Sequence, residues 1–243
     1  MLQLYFIRHA QSTNNAVMDE NEHDDYLLIR QSDPDLTPLG KKQIRHAAEF
    51  LARPGSENGF DPQNRQGFGL THLYCSLMVR AVKTGQAISE QTGLPLVALP
   101  EVHETGGMFK VEMVDGERQF IGTAGPGRGF FETNFPDLII PEDIPKDGWW
   151  NKPKEPRANF VKRAKRVVDK LIDVHGGQDH RVAIVMHGGI FARIMTAVFD
   201  IQAEDYWFLM NNCGISRIDV RDDGFIMLAY LNKVDYLPDH LIT

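Results

Sequence analysis

Apolar residues fall along this chain in two alternating patterns: short runs, and longer stretches where they recur every three or four positions. Residues 2–7 form the first run. It is too short for a stable helix and rich in strand-favouring side chains, so a buried β-strand is predicted. Residues 72–75, 96–99 and 182–186 read the same way. Two later runs, Ile215–Val220 and residues 225–231, flank Arg221-Asp222-Asp223-Gly224, whose Asp-Gly pair marks a hairpin. Helical stripes lie between the early strands. Thr37 is an N-cap ahead of Pro38 at the first helical position, and Ile44, Ala47, Ala48 and Leu51 then share one face. A second helix covers about 79–91 and ends before Gly93 and Pro95. The clearest helix spans about 157–174, with Phe160, Ala164, Val167, Val168, Leu171 and Ile172 at 3.6-residue spacing and Gly176-Gly177 as its stop. Its other side carries Lys162, Arg163, Lys165, Arg166 and Lys170, which read as a solvated face rather than an anion-binding stripe.

Strands alternating with helices imply an α/β fold: a three-layer α/β/α sandwich with a mainly parallel sheet and an antiparallel edge. In such sheets ligands bind beyond the carboxyl ends of the strands. Arg8-His9, Ser76 to Arg80, and His187-Gly188 each follow a predicted strand and so point to one crevice. Residues 105–156 break the alternation. They hold 8 of the 21 glycines, 6 of the 13 prolines and 7 of the 23 aromatics, and no helical or strand period persists. Their aromatic content argues against disorder. The expectation is a single domain, 1–243, with a lid-like insertion at about 105–156.

Composition narrows the function. With 26 Lys and Arg against 33 Asp and Glu, the formal charge is -7, which argues against sequence-blind nucleic-acid binding and against electrostatic membrane anchoring. Residues 1–7 lack the length and basic flank of a signal peptide, and no apolar run approaches a membrane span. Cys75 and Cys213 lack metal-ligand spacing and read as buried free thiols. A cytoplasmic location is expected. Oligomeric state is not legible.

The crevice would gather two Arg and two His. Packed cations repel, and burying them unpaired is costly. A dianionic phosphate supplies the missing charge: at about 4 Å and an effective dielectric near 20, each charge pair contributes roughly 4 kcal/mol before desolvation. Arg8 and Arg80 can fork onto phosphoryl oxygens, Asn15 can donate another hydrogen bond, and Gly188 permits close backbone approach. Other chemistries fail on spacing. His103-Glu104 lacks the second histidine of a zinc-protease motif, no G-x-S-x-G elbow accompanies His187-Gly188-Gly189, and there is no P-loop.

The run Arg8-His9-Ala10-Gln11-Ser12-Thr13-Asn14-Asn15 is similar to the R-H-G-x-[ST]-x-x-N signature of the histidine phosphatase superfamily, which includes the cofactor-dependent phosphoglycerate mutases. Asp35-Leu36-Thr37-Pro38-Leu39-Gly40, Ser76 with Arg80, His187-Gly188 and Asn212-Cys213-Gly214-Ile215-Ser216 resemble its later landmarks, in the same order. The resemblance implies a phosphoglycerate mutase-like fold, His9 as nucleophile through a phosphohistidine, and Arg8, Asn15, Arg80, His187 and Gly188 around the phosphate. It implies neither metal nor cofactor. Neutral imidazole is the competent nucleophile, whereas His187 works best protonated, donating to a phosphoryl oxygen. The family's general acid follows the strand after the second helix. Glu101 and Glu104 both qualify, and Gly106-Gly107 favours Glu104. Ala10 stands where the family has glycine, a departure that matters if φ is positive there.

Three functions are compatible with these residues: a metal-independent phosphomonoesterase acting on a small phosphorylated metabolite, a phosphoglycerate mutase, and a phosphate-binding regulator without turnover. The stretch Glu104-Thr105-Gly106-Gly107-Met108 lacks the E-R-H-Y-G-like run that mutases carry, which favours hydrolysis. Lys110, Arg118, Arg128, Lys146, Trp149 and Trp150 could meet the rest of a substrate, but read first as surface or packing residues.

Overall fold

Because strand side chains alternate, a strand buried on both faces must be apolar throughout. β1 (Leu2–Arg8) is such a strand: Leu2, Leu4 and Phe6 face one side of the sheet, Tyr5 and Ile7 the other, and all are buried. It lies inside a six-stranded sheet of order β3-β2-β6-β1-β7-β8. β2 (His72–Cys75), β3 (Leu96–Ala98) and β6 (Arg181–Met186) run parallel with it. β7 (Ile215–Val220) and β8 (Ile226–Lys233) close the other edge antiparallel. The computed structural model describes residues 1–20, 23–56, 61–202 and 206–243.

Helices cover both faces. α3 (Pro38–Leu51) and α4 (Val79–Thr92) pack Ala48, Leu51, Ala81, Val82 and Ile88 onto the Tyr5–Ile7 side. α6 (Phe160–His175) and α7 (Gly188–Val198) pack Ala164, Val167, Leu171, Ile190 and Phe191 onto the Leu4–Phe6 side. The result is the expected three-layer sandwich with an antiparallel edge. Thr37 caps α3 by accepting from the Gly40 amide at 3.0 Å, and Gly93, at φ 71°, ends α4. Two short helices that no periodicity announced, α1 (Thr13–Glu20) and α2 (His23–Ile29), follow β1. Cys75 and Cys213 are buried and unbridged.

Residues 105–156 correct one expectation, because they do contain regular structure. β4 (Phe109–Val114) and β5 (Glu117–Gly122) form an antiparallel hairpin, and α5 (Arg128–Asn134) follows. The turn is Asp115-Gly116, both at positive φ (52° and 82°), the Asp-Gly geometry of a type I′ hairpin. The signal used for 221–224 was therefore present here too, hidden by the glycines and prolines around it. Phe131, Phe135, Leu138, Ile144, Trp149 and Trp150 are buried in the α3–α4 side core. Ile139 pairs with the free edge of β3, donating to the Leu96 carbonyl at 2.9 Å and accepting from the Ala98 amide at 2.8 Å. The segment thus covers an edge that would otherwise expose unpaired backbone groups.

A second correction concerns α6. Lys162, Lys165, Arg166 and Lys170 are exposed, but Arg163 is 3% exposed and pairs with Glu155 at 2.7 Å. Its Nη1 also donates to the Glu101 and His103 carbonyls at 2.6 and 2.9 Å. It therefore fastens the loop that follows β3 instead of facing water.

The contact between α3 and the loop after β1 explains the Leu36-Thr37-Pro38-Leu39-Gly40 landmark. The Gln11 carbonyl accepts from the Thr37 amide at 3.0 Å, and a Cβ at Gly40 would lie 2.2 Å from that same carbonyl oxygen. Gly40→Ala must push the loop away from α3. We expect a loss of about 1–3 kcal/mol in urea unfolding, together with reduced anion binding, since the displaced loop carries His9.

Candidate active site

Three parallel strands end side by side, and each hands the chain to a loop bearing a polar side chain. Register holds these loops together: the His9 amide donates to the Met186 carbonyl at 2.9 Å and the Ser76 amide to the Val185 carbonyl at 3.0 Å. His9 and His187 consequently face each other, ring centroids 4.9 Å apart. Arg80, in the first turn of α4, places its Nε 3.1 Å from His9 Nε2. Arg8 is fastened by Nη1 to the Met210 carbonyl at 2.6 Å, with its Nε end beside Gly188. The structure therefore brings Arg8, His9, Arg80, His187 and Gly188 together.

His9 Nδ1 lies 2.7 Å from the Ala10 carbonyl. A carbonyl can only accept, so Nδ1 carries the proton and Nε2 keeps its lone pair. Burial, then the charges of Arg80 and Arg8, hold the His9 pKa well below the usual imidazole value, which keeps the ring neutral and nucleophilic. Ala10 is absent from the described residues at positive φ, so it replaces the family's glycine without backbone strain. Its amide donates to Thr84 Oγ1 at 3.2 Å, and Thr84 in turn donates to the Arg80 carbonyl at 2.7 Å.

Three buried polar atoms in this cluster make no hydrogen bond within the protein: Arg8 Nε, Arg80 Nη1 and His187 Nδ1. Native proteins rarely leave such donors unsatisfied, and each costs about 1–3 kcal/mol or more when charged. Their common requirement is an acceptor, and an anion meets it. His187 differs from expectation in the free protein. Burial, then Arg80 and His9, push its pKa well down, so the imidazolium that would donate to phosphate forms only when an anion balances it. Its Nε2 lies 2.9 Å from Ser76 Oγ.

Asn15 stands beside this group. Its Oδ1 accepts from the Ser12 amide and hydroxyl at 3.0 and 2.9 Å and from Asn212 Nδ2 at 3.3 Å. Asn212 Nδ2 also donates to the His9 carbonyl at 2.9 Å, giving that late landmark a physical role. Glu104 and Glu101 separate cleanly. Glu101 lies on α6's solvent side, paired with Arg166 at 3.0 Å. Glu104 turns inward: Oε2 accepts from the Gly189 amide at 3.1 Å, while Oε1 accepts from the Ile190 amide at 3.1 Å and the Thr105 amide at 2.7 Å. Its carboxylate sits on the first turn of α7, where the helix dipole favours negative charge.

Sequence reasoning missed Asp33. Its Oδ1 lies 3.5 Å from Arg80 Nη1, and its oxygens accept from the Val79 amide at 3.1 and 3.3 Å, so it caps α4 and steadies Arg80. No period or motif marked it. Among the residues considered for a second substrate group, Lys110 pairs with Glu112 at 2.5 Å and Arg128 with Glu132 at 3.4 Å. Trp149 and Trp150 pack around His103. Two further cations hold to the β4–β5 hairpin, Arg30 4.0 Å above the Phe109 ring and Lys154 3.5 Å above Phe120.

The family model described as histidine phosphatase superfamily (branch 1) matches residues 4–113 and 135–233. The chain belongs to the histidine phosphatase superfamily. Its unmatched part, 114–134, lies within the insertion. A relative described as probable phosphoglycerate mutase GpmB from Serratia proteamaculans is 23% identical, over 100% of this chain and 96% of its own. Among solved structures, phosphoserine phosphatase from Entamoeba histolytica in complex with 3-phosphoglyceric acid superposes with a TM-score of 0.59 at 18% identity, covering 98% of this chain and 100% of that one. A mycobacterial glucosyl-3-phosphoglycerate phosphatase gives 0.58 at 20% identity, covering 96% and 99%. These structural likenesses establish the fold of this histidine phosphatase superfamily member. Among the described residues, no helix is long and apolar enough to cross a membrane.

Asp33 gives a pH signature. Burial raises its pKa to about 6, against the opposing pull of Arg80. The folded state then holds a proton that the unfolded state has released, so stability falls as pH rises from about 4 to 6. The effect is at most about 3 kcal/mol. Urea unfolding of wild type across this range should show that decline on top of the background slope, and Asp33→Asn should lack it while keeping an acceptor for Val79.

Proposed function

We propose that this protein is a metal-independent phosphomonoesterase that works through a phosphohistidine at His9. The observation that carries the proposal is the neutral His9 Nε2 set among unsatisfied donors from Arg8, Arg80 and His187. A phosphate ester entering there takes the guanidinium and imidazole donors onto its phosphoryl oxygens. Arg80 Nε then leaves His9 Nε2, freeing the lone pair. Nε2 attacks phosphorus and forms the N–P bond as the P–O ester bond breaks. The leaving oxygen needs a proton, and Glu104 is the assigned donor, a step that contributes about 10²–10⁴-fold. The carboxylate left behind then takes a proton from water, whose oxygen attacks phosphorus, releases inorganic phosphate and restores His9.

A mutase reading rests on the relatives named probable phosphoglycerate mutase. It shares the first half-reaction and differs in returning the phosphoryl group to a second hydroxyl. Hydrolysis is favoured because residues 104–108 lack the mutase-type stretch, which retains a doubly phosphorylated intermediate. The solved relatives include phosphoserine phosphatase in complex with 3-phosphoglyceric acid, so small phosphorylated acids belong on any substrate panel.

The test is such a panel, run on wild type, His9→Ala and Glu104→Gln. Hydrolysis should vanish in His9→Ala. Glu104→Gln should lose about 10²–10⁴-fold on alkyl phosphates and far less on aryl phosphates, whose leaving groups need no proton. Activation by 2,3-bisphosphoglycerate, with phosphoenzyme decaying slowly in water, would instead establish the mutase. No turnover of any phosphomonoester from mildly acidic to neutral pH would leave a binding protein.

A further inference from the structure

Three histidines far from the catalytic cluster meet at the opposite end of the sheet. His72 opens β2, His180 immediately precedes β6, and His175 ends α6. One ring nitrogen from each lies within 4.8 Å of the others. His180 and His187 bracket β6, so the seven-residue rise separates this cluster from the catalytic end by about 23 Å.

The detailed geometry is that of ligands held for a metal. His175 Nδ1 and His180 Nδ1 are 3.0 Å apart, close to the roughly 3.3 Å between two nitrogens bound tetrahedrally at about 2.0–2.1 Å. Two of the remaining nitrogens, on His175 and His72, meet neutral oxygens. His175 Nε2 meets the Tyr74 hydroxyl at 3.0 Å, and His72 Nδ1 meets Thr71 Oγ1 at 2.9 Å. Such outer hydrogen bonds fix tautomer and ring direction in metal-bound histidines. The adjacent acid, Asp179, pairs with Arg181 at 3.8 Å instead of with an imidazole. His175 is buried, and His72 and His180 are half-buried, which leaves one side of the cluster open to water.

We propose that His72, His175 and His180 form a second site, binding one divalent transition metal of the imidazole-preferring Zn²⁺ class, with water as fourth ligand. Imidazole nitrogen suits Zn²⁺, Ni²⁺ and Cu²⁺ and excludes Mg²⁺ and Ca²⁺, which take oxygen. The metal would tie the end of α6 to the starts of β2 and β6. Its place at the far end of the sheet makes it a structural or regulatory clamp, outside the phosphoryl-transfer steps.

The test uses the full, tag-free chain and Zn²⁺ alone, followed by calorimetry and thermal unfolding. One Zn²⁺ should bind per chain and raise Tm. Binding should persist in His9→Ala, which removes the other histidine pair. It should weaken at least tenfold in His72→Gln or His180→Gln, and Tyr74→Phe should weaken it about 10–100-fold through loss of the outer hydrogen bond. A tetrahedral Co²⁺ spectrum, displaced by Zn²⁺, reads the same site in wild type and His9→Ala without relying on a variant of the cluster. The proposal is overturned if millimolar Zn²⁺ does not bind, if His72→Gln/His180→Gln binds as wild type does, or if His9→Ala abolishes binding. Loss of phosphatase activity in His9→Ala has no bearing on these outcomes.

Discussion

Arg8, Arg80, His9 and His187 are buried in one cleft with too little negative charge of their own, and the free protein is arranged around that repulsion. The two imidazoles yield by losing their protons. The two guanidiniums cannot, because arginine stays protonated in proteins. Arg80 therefore leans on Asp33, whose carboxylate is itself poorly solvated, and Arg8 on the Met210 carbonyl. Neither partner satisfies the whole guanidinium. Within this cluster Arg8 Nε and Arg80 Nη1 remain without a hydrogen bond, and an anion between them would relieve both costs at once. Under the proposed function, affinity for phosphate is stored in the free protein as incomplete pairing.

Holding that arrangement requires loops that do not relax. The loop after β1 is gripped from several directions: by Thr37 and Gly40 of α3, by Thr84 of α4, and by Asn212 through the His9 carbonyl. The loop after β3 is gripped by Arg163, which reaches from α6 to the Glu101 and His103 carbonyls and sets Glu104 against the first turn of α7. The grips come from α3, α4 and α6 and from the turn at Asn212, so the end of the sheet that carries His9 and His187 is the place where both helical layers meet.

The chain belongs to the histidine phosphatase superfamily, and the proposed nucleophile and anion cradle would serve a phosphatase and a mutase alike. What separates them is the space beside the phosphate and what can wait there to receive the phosphoryl group. In this chain the residue after α2 and Lys154 hold the β4–β5 hairpin, stacking on Phe109 and Phe120. The stretch that the family model does not match, 114–134, takes in the end of β4, all of β5 and α5, so the part least shared with relatives lies in and just after that hairpin.

Much was legible in the chain alone, because the relevant physics is local. The apolar runs of β1, β2 and β6, the Thr37-Pro38 start and Gly93 end of helices, and the Asp223-Gly224 hairpin follow from side-chain period and backbone preference within a few residues. The clustering of Arg8, His9, Arg80 and His187 was also inferable, since parallel strands deliver their following loops to one edge. Other features depended on partners distant in sequence. Asp33 serves Arg80 and α4, Arg163 is buried because Glu155 and two carbonyls await it, and Glu104 is distinguished from Glu101 by which one meets α7. The three imidazoles of His72, His175 and His180 are scattered along the chain and have no motif spacing. Sequence determined which side chains could do chemistry. Only the packing of helices against the sheet decided which of them lost water, and it is that loss of water which gives a buried charge or lone pair its need for a partner.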